Sequence, residues 1–352
     1  MKSLVVCLAG TGNQLRATRN TNVVLLYQML DLSDPSRQVA YYDPGVGTFS
    51  SGGAWTPVGK RISKLTGLAL GVGLRANLGE AYTWLMRTWE PGDRVFVAGF
   101  SRGAYTARAL TGMLRTVGLA RPGLENLVPY AVQAHTRRFS ENSRKEYWDT
   151  VHNFAGAFAR EVDTTHTVVP IRYLGLWDTV KAVGVLRWEI HWPYTNKLPN
   201  VQRCRHAVSI DEKRRPYKHD PVASIAHGGS LEQVWFAGVH SDVGGTFDDQ
   251  GPMLSTIALK WVVEGAVEEG LLVKRSAYDR ACSVTRQHAD AAVHQMGRIW
   301  ALVTYKRRSV PDGASVHSSV RIRREKDPSY GKDRFRGGVE YVDTHWLGQP
   351  RP

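Results

Sequence analysis

Short apolar runs alternate along this chain with longer stretches in which apolar residues recur every three or four positions. Leu4-Val5-Val6-Cys7-Leu8 is a continuous apolar run of strand length, closed by the glycine turn Gly10-Thr11-Gly12-Asn13. Thr21 then caps an amphipathic stretch to residue 30, residues 38–42 read as a second strand, and residues 49–58 as a Gly/Ser-rich surface loop. Leu74, Leu78, Ala81, Tyr82 and Leu85 mark one face of a helix. Pro91-Gly92-Asp93 ends that helix and starts a third strand, Val95 to Ala98. Further strands are expected at 171–176 and 233–236. Helices are expected at 119–165, at 200–209 and at 253–268, the last opened by Pro252, where a missing N–H costs nothing. Strand and helix taking turns in this way predict an α/β fold, a mainly parallel sheet with helices on both faces. The stretches 119–165 and 183–230 break the alternation and read as cap insertions, the first of them helical.

The chain has 352 residues, of which 42% are hydrophobic, enough for one enlarged domain. Residues 1–270 form its expected core, and 271–352 a basic, weakly patterned extension packing on it. The net charge of +14 gathers locally at Lys213-Arg214-Arg215, Lys306-Arg307-Arg308 and residues 321–324. Such a surface suits anionic partners, including peripheral contact with an anionic membrane; solubility alone explains it equally well. Aromatic and basic residues do not interleave as in nucleic-acid modules, so no nucleic acid is expected. Cys7, Cys204 and Cys282 lie far apart, without a metal-binding spacing, so neither a disulfide framework nor a metal is expected. The apolar run at 4–8 is too short for a signal-peptide core, and no run reaches membrane-spanning length. The expected product is cytoplasmic as made, any export being leaderless.

The candidate chemistry sits at Gly99-Phe100-Ser101-Arg102-Gly103, with a strand before it and a helix after. That is the G-x-S-x-G nucleophile elbow in the context it requires: Gly99 and Gly103 allow a turn too tight for side chains, and Ser101 stands at its tip. A serine hydroxyl needs a base, and the base an orienting carboxylate. Of twelve histidines, His240 stands out because it follows a strand between glycines; His206 and His227 are rivals. Asp178 follows the strand at 171–176 and gives the chain order Ser, Asp, His; Asp242 is the other candidate, or a turn former. Backbone N–H groups of Arg102, at the helix start, and Thr11, in the first glycine turn, are the candidate oxyanion donors. Trp188, Trp192 and Tyr194 either line a substrate groove or pack in the core.

The chain also resembles a known family. Gly10-Thr-Gly-Asn13, Thr21-Asn-Val23, Tyr41-Tyr-Asp43, Gly99 through Arg108, Gly175-Leu-Trp-Asp-Thr-Val180, His206 through Glu212 and Gly238-Val-His-Ser-Asp-Val-Gly-Gly245 follow the order found in the DUF2235 α/β-hydrolases. That family includes the Tle1-type phospholipase effectors of the type VI secretion system. The resemblance implies an α/β-hydrolase fold and a Ser101–Asp178–His240 triad. It further implies acyl-ester cleavage in glycerophospholipids without metal or other cofactor, with an immunity or secretion partner a possibility for effectors. One departure is Ala9, where the family carries Asp. The expectation is therefore a phospholipase-like serine hydrolase; an esterase or thioesterase for a soluble acyl substrate, or a non-catalytic basic binding protein, are the alternatives.

Overall fold

The computed structural model describes residues 1–10, 20–45, 67–162, 167–183, 188–189, 191–247, 251–295 and 305–348. Eight strands form one sheet: β1 (Ser3–Leu8), β2 (Gln38–Asp43), β3 (Arg94–Phe100), β4 (Ile171–Trp177), β8 (Arg203–Ser209), β10 (Ser230–Phe236), β11 (Ala314–His317) and β12 (Val339–Val342). Two-residue strands β5 (Ala182–Val183) and β6 (Trp188–Glu189), and β7 (Lys197–Leu198) and β9 (Ser224–Ile225), pair separately. The main sheet runs β12-β11-β10-β8-β4-β3-β1-β2, every pairing parallel. This is an α/β-hydrolase-like architecture, with Ser3 opposite Arg94 and Leu8 opposite Gly99 in the β1–β3 register.

A parallel sheet covered on both faces needs strands that are apolar throughout, and β1 and β3 are. Their side chains divide by parity. Leu4, Val6, Leu8, Val95 and Val97 enter one core, and Val5, Cys7, Phe96, Ala98 and Phe100 the other. The first core is closed by α2 (Gly67–Thr88), through Leu74, Leu78, Tyr82 and Leu85, with α3 (Arg102–Thr116), α4 (Val128–Thr136) and α5 (Arg144–Phe158). α1 (Asn22–Met29) and a later helix, Leu254–Glu268, close the second. Thr21 caps α1, its hydroxyl accepting the Val24 N–H.

One expectation fails here. The pattern over 200–209 predicts a helix, but 203–209 form β8, hydrogen-bonded between β4 and β10. Their period of two was hidden by Arg203, Arg205 and His206. These polar side chains sit inside because Glu232 on β10 and Glu268 and Glu269 pair with the arginines. The region after 271, weakly patterned in sequence, supplies β11 and β12 to the sheet.

The chain runs from β1 outward to β2, then returns past β1 to β3 and proceeds the other way. The carboxyl ends of β1 and β3 therefore flank the point where strand order reverses, the usual place for a ligand crevice in such sheets. Among the described residues no helix is long and apolar enough to cross a membrane.

Candidate active site

Ser101 stands between β3 and α3 with φ 60° and ψ −124°, a conformation that glycine accepts and serine does not favour. The turn is held by the Ser101 N–H donating to Trp177 O at 3.0 Å. Its tightness is set by contact. A Cβ on Gly99 would lie 2.6 Å from the Gly103 carbonyl oxygen, and one on Gly103 would lie 2.2 Å from that of Leu8. Gly103→Ala is expected to cost about 3 kcal/mol, read as a lower urea midpoint, because only backbone could yield. An unchanged midpoint would mean that the elbow is looser than this geometry.

Asp178 and His240 reach the same rim from elsewhere. Asp178 directly follows β4, itself at positive φ (41°), its N–H donating to Ala207 O of the neighbouring β8. His240 opens α6 (His240–Gly244) just after β10. The three side chains form a series: Ser101 Oγ donates to His240 Nε2 at 2.8 Å, and His240 Nδ1–H donates to Asp178 Oδ2 at 2.6 Å. Ser101 is 7% exposed, His240 4% and Asp178 0%. Phe100 lies against one side of the imidazole, ring centroids 4.6 Å apart, and Tyr217 meets it edge-on at 4.8 Å. Gly244 makes room for that Phe100 ring, since a Cβ there would sit 1.9 Å from it.

Successive N–H groups of the histidine loop are each held by a buried carboxylate. Gly238 N–H donates to Asp211, Val239 N–H to Asp242 and His240 N–H to Glu212, at 2.7, 2.9 and 3.3 Å. Asp242 thus holds backbone, and its side-chain partner is His294, through Nδ1 at 2.5 Å and the His294 N–H at 3.2 Å, not His240. His206 lies deeper, accepting the Thr179 N–H and facing Gln233, its pKa pushed down by burial to about 4. His227 is exposed in its loop.

Arg308 is the residue sequence reasoning missed. Its guanidinium grips Asp178 with both ends, Nη1 to Oδ1 at 2.5 Å and Nη2 to Oδ2 at 3.0 Å, and also donates to the carbonyls of Ser209 and Tyr217. The Ser209 N–H completes the carboxylate's shell at 2.9 Å. Burial works to raise the Asp178 pKa, but Arg308 and His240 outweigh it and hold the carboxyl well below its usual range. Burial pushes the His240 imidazole down, against the pull of Asp178, so at neutral pH it is uncharged with Nε2 free to accept a proton. The only signal for Arg308 was the basic run 306–308, which charge alone could not distinguish from surface.

Arg102 begins α3, so its N–H belongs to the first turn, which has no acceptor within the helix. Thr11, the second candidate donor, lies outside the described residues, as do 49–58. Trp192 is core, packed on Tyr105 at 5.6 Å, with its backbone N–H donating to the Tyr105 hydroxyl. Tyr194, half-buried, lies over Gly112 and meets Trp148 edge-on at 5.3 Å. The side chain of Trp188 lies outside the described set. Beside Ala9, Asp43 accepts from Gly45 N–H and Asn77, its pKa raised by burial to about 6. The thiols of Cys7 and Cys204 are free and buried, each pushed up to about 12. No group of three or more His, Cys, Asp or Glu suited to a metal ion occurs among the described residues.

Comparison with known proteins adds a family. Residues 2–265 match the family described as T6SS, phospholipase effector Tle1-like, catalytic domain. The chain is 36% identical over 225 residues to the uncharacterized protein YEL023C of Saccharomyces cerevisiae, covering 62% of this chain and 32% of that protein. Among solved structures it is similar to an uncharacterized protein from Pseudomonas aeruginosa, with TM-score 0.48, 20% identity, and coverage of 86% of this chain and 52% of that one. It is also similar to the Tle1 effector bound to the VgrG spike from the type 6 secretion system, with TM-score 0.40, 15% identity, and coverage of 72% and 52%. The chain spans 32% of the yeast relative and 52% of the second structure.

Proposed function

The chain belongs to the family of Tle1-like phospholipase effector catalytic domains, a lipolytic hydrolase family, and from that premise we propose that it is a serine hydrolase cleaving acyl esters of glycerophospholipids. The observation that carries the reading is the unbroken series from Ser101 Oγ through His240 to Asp178 at the carboxyl rim of the sheet. In the first step His240 Nε2 takes the hydroxyl proton as Oγ attacks the acyl carbonyl carbon. The tetrahedral oxyanion accepts N–H bonds from Arg102, aided by the positive end of α3, and from Thr11. Collapse breaks the ester C–O bond, and the imidazolium returns the proton to the departing alcohol, leaving an acyl-serine. Water, deprotonated by the same imidazole, then releases the fatty acid and restores Ser101.

The experiment that tests this is fatty-acid release from phospholipid vesicles, run beside hydrolysis of a short nitrophenyl ester. Release from vesicles supports the lipase reading; activity on the soluble ester alone reduces it to an esterase, and activity on neither removes it.

pH adds a second expected result. Because the base must be uncharged and burial holds its pKa down, the acid limb of kcat/KM should fall below the ordinary histidine value of about 6.5. Asp178→Asn removes the partner that pulls that pKa up, so the limb should move lower still while kcat drops about 10⁴-fold. A limb at or above the ordinary value would mean that His240 is not the base.

A further inference from the structure

Behind the triad, on the far side of Tyr217 and Arg308, a cavity of about 680 Å³ opens between the 214–219 turn and the C-terminal region. Its lining carries seven Arg or Lys side chains and no carboxylate. Three of the seven are occupied: Arg308 by Asp178, Arg214 by Glu212 and Arg307 by Asp333. The other four, Arg215, Lys218, Lys306 and Arg336, make no ion pair with any described carboxylate, although pairs of that kind are common elsewhere in the chain. All four are exposed at the rim, while Trp235, 5% exposed, lies among the lining residues below them.

Like charges gathered around a concavity repel one another, and no described carboxylate relieves these four. An anion seated among them would gain from all four at once. Arginine forks match phosphate oxygens two at a time, and lysines add point charge, so the combination suits a phosphate better than a single carboxylate. We propose that this cavity is a binding site for a phosphate group, borne by an anionic phospholipid headgroup or by a soluble phosphate. Because Tyr217 and Arg308 belong to the cavity wall and to the surroundings of His240 and Asp178 alike, the bound phosphate is held directly behind the acid–base pair. The proposal stands on the charge and shape of the cavity and does not require the hydrolase reading.

Binding is therefore measured on the full chain carrying Ser101→Ala, so that no turnover intervenes. Three probes are used: vesicles of phosphatidylcholine alone, vesicles of equal phosphatidylcholine and phosphatidylglycerol, and inorganic phosphate. One variant adds Arg215→Glu, Lys218→Glu and Arg336→Glu. A control adds Arg75→Glu, Lys145→Glu and Arg280→Glu, three exposed cations outside the cavity, to match the change in net charge. The expected result is binding to mixed but not neutral vesicles, weakened roughly a hundredfold in the cavity variant and retained in the control. Calorimetric binding of inorganic phosphate that the cavity variant loses, with no preference between vesicles, assigns the site to soluble phosphate. Equal losses in variant and control would show diffuse attraction and overturn the proposal, as would binding of none of the probes. Melting temperatures of all three proteins within a few degrees of one another establish that the comparison is between folded chains.

Discussion

Ser101→Ala is expected to lower turnover of acyl esters by about 10⁴-fold or more and to abolish labelling by a fluorophosphonate. The hydroxyl is the sole atom removed, and its role as His240's hydrogen-bond partner has no substitute in the elbow. Residual rate would come from oxyanion donors and substrate positioning alone. The same position makes a stability prediction of opposite sense. Alanine inherits the φ of 60° and its strain, whereas glycine accepts it, so Ser101→Gly should be as inactive as Ser101→Ala but about 1 kcal/mol more stable in urea unfolding. A Ser101→Ala protein that still takes the probe would move the nucleophile elsewhere; equal stabilities would deny the strained elbow.

The second large effect belongs to Arg308. Arg308→Ala leaves a fully buried carboxylate with His240 and one backbone N–H, and is expected to cost about 3–5 kcal/mol at neutral pH. It should also cut kcat roughly 100-fold, since Asp178 loses the fork that fixes its plane and His240 loses its alignment with it. Lysine can supply charge but not two parallel donors, so Arg308→Lys should fall between the two.

The pH dependence separates an ionic role from simple packing. In the parent the folded carboxyl lies below its unfolded value of about 3.9, so the stability it contributes is fully present above that pH. That stability is lost as pH falls toward the folded value. Without Arg308 the upward push of burial meets less opposition, the folded pKa rises, and acid no longer costs the variant what it costs the parent. The stability gap between parent and Arg308→Ala should accordingly be widest near neutrality and close as pH drops below about 4. A gap independent of pH would make Arg308 a packing residue.

The readable and the hidden parts of this site differ in kind. The elbow was legible because all its requirements fall within a few residues: an apolar strand, two glycines whose Cβ atoms would meet backbone, and a helix. Asp178 and His240 were legible at one remove, as polar residues just beyond apolar strands. Asp211 and Glu212, which hold the histidine loop, fall in the segment His206–Glu212, whose sequence gives no hint of the N–H groups they accept. Strand β8 does not show in the sequence because its polar side chains are tolerated only through carboxylates brought from β10 and the helix Leu254–Glu268.

What the sequence by itself determined is local. It set the alternation of strands and helices from β1 to the helix after Ser101, the parity that sends Leu4 and Val5 to opposite faces, and the turn that presents Ser101, since each depends on neighbours a few positions away. What the tertiary structure decided is which distant groups meet. His240 is 139 residues from Ser101, and they meet because parallel strands bring their carboxyl ends to one rim; Arg308 is 130 residues from Asp178 and arrives on the segment before β11, whose backbone is hydrogen-bonded to Glu212 and Lys213. A buried charge is acceptable only where its partner arrives, and no pattern along the chain records that arrival.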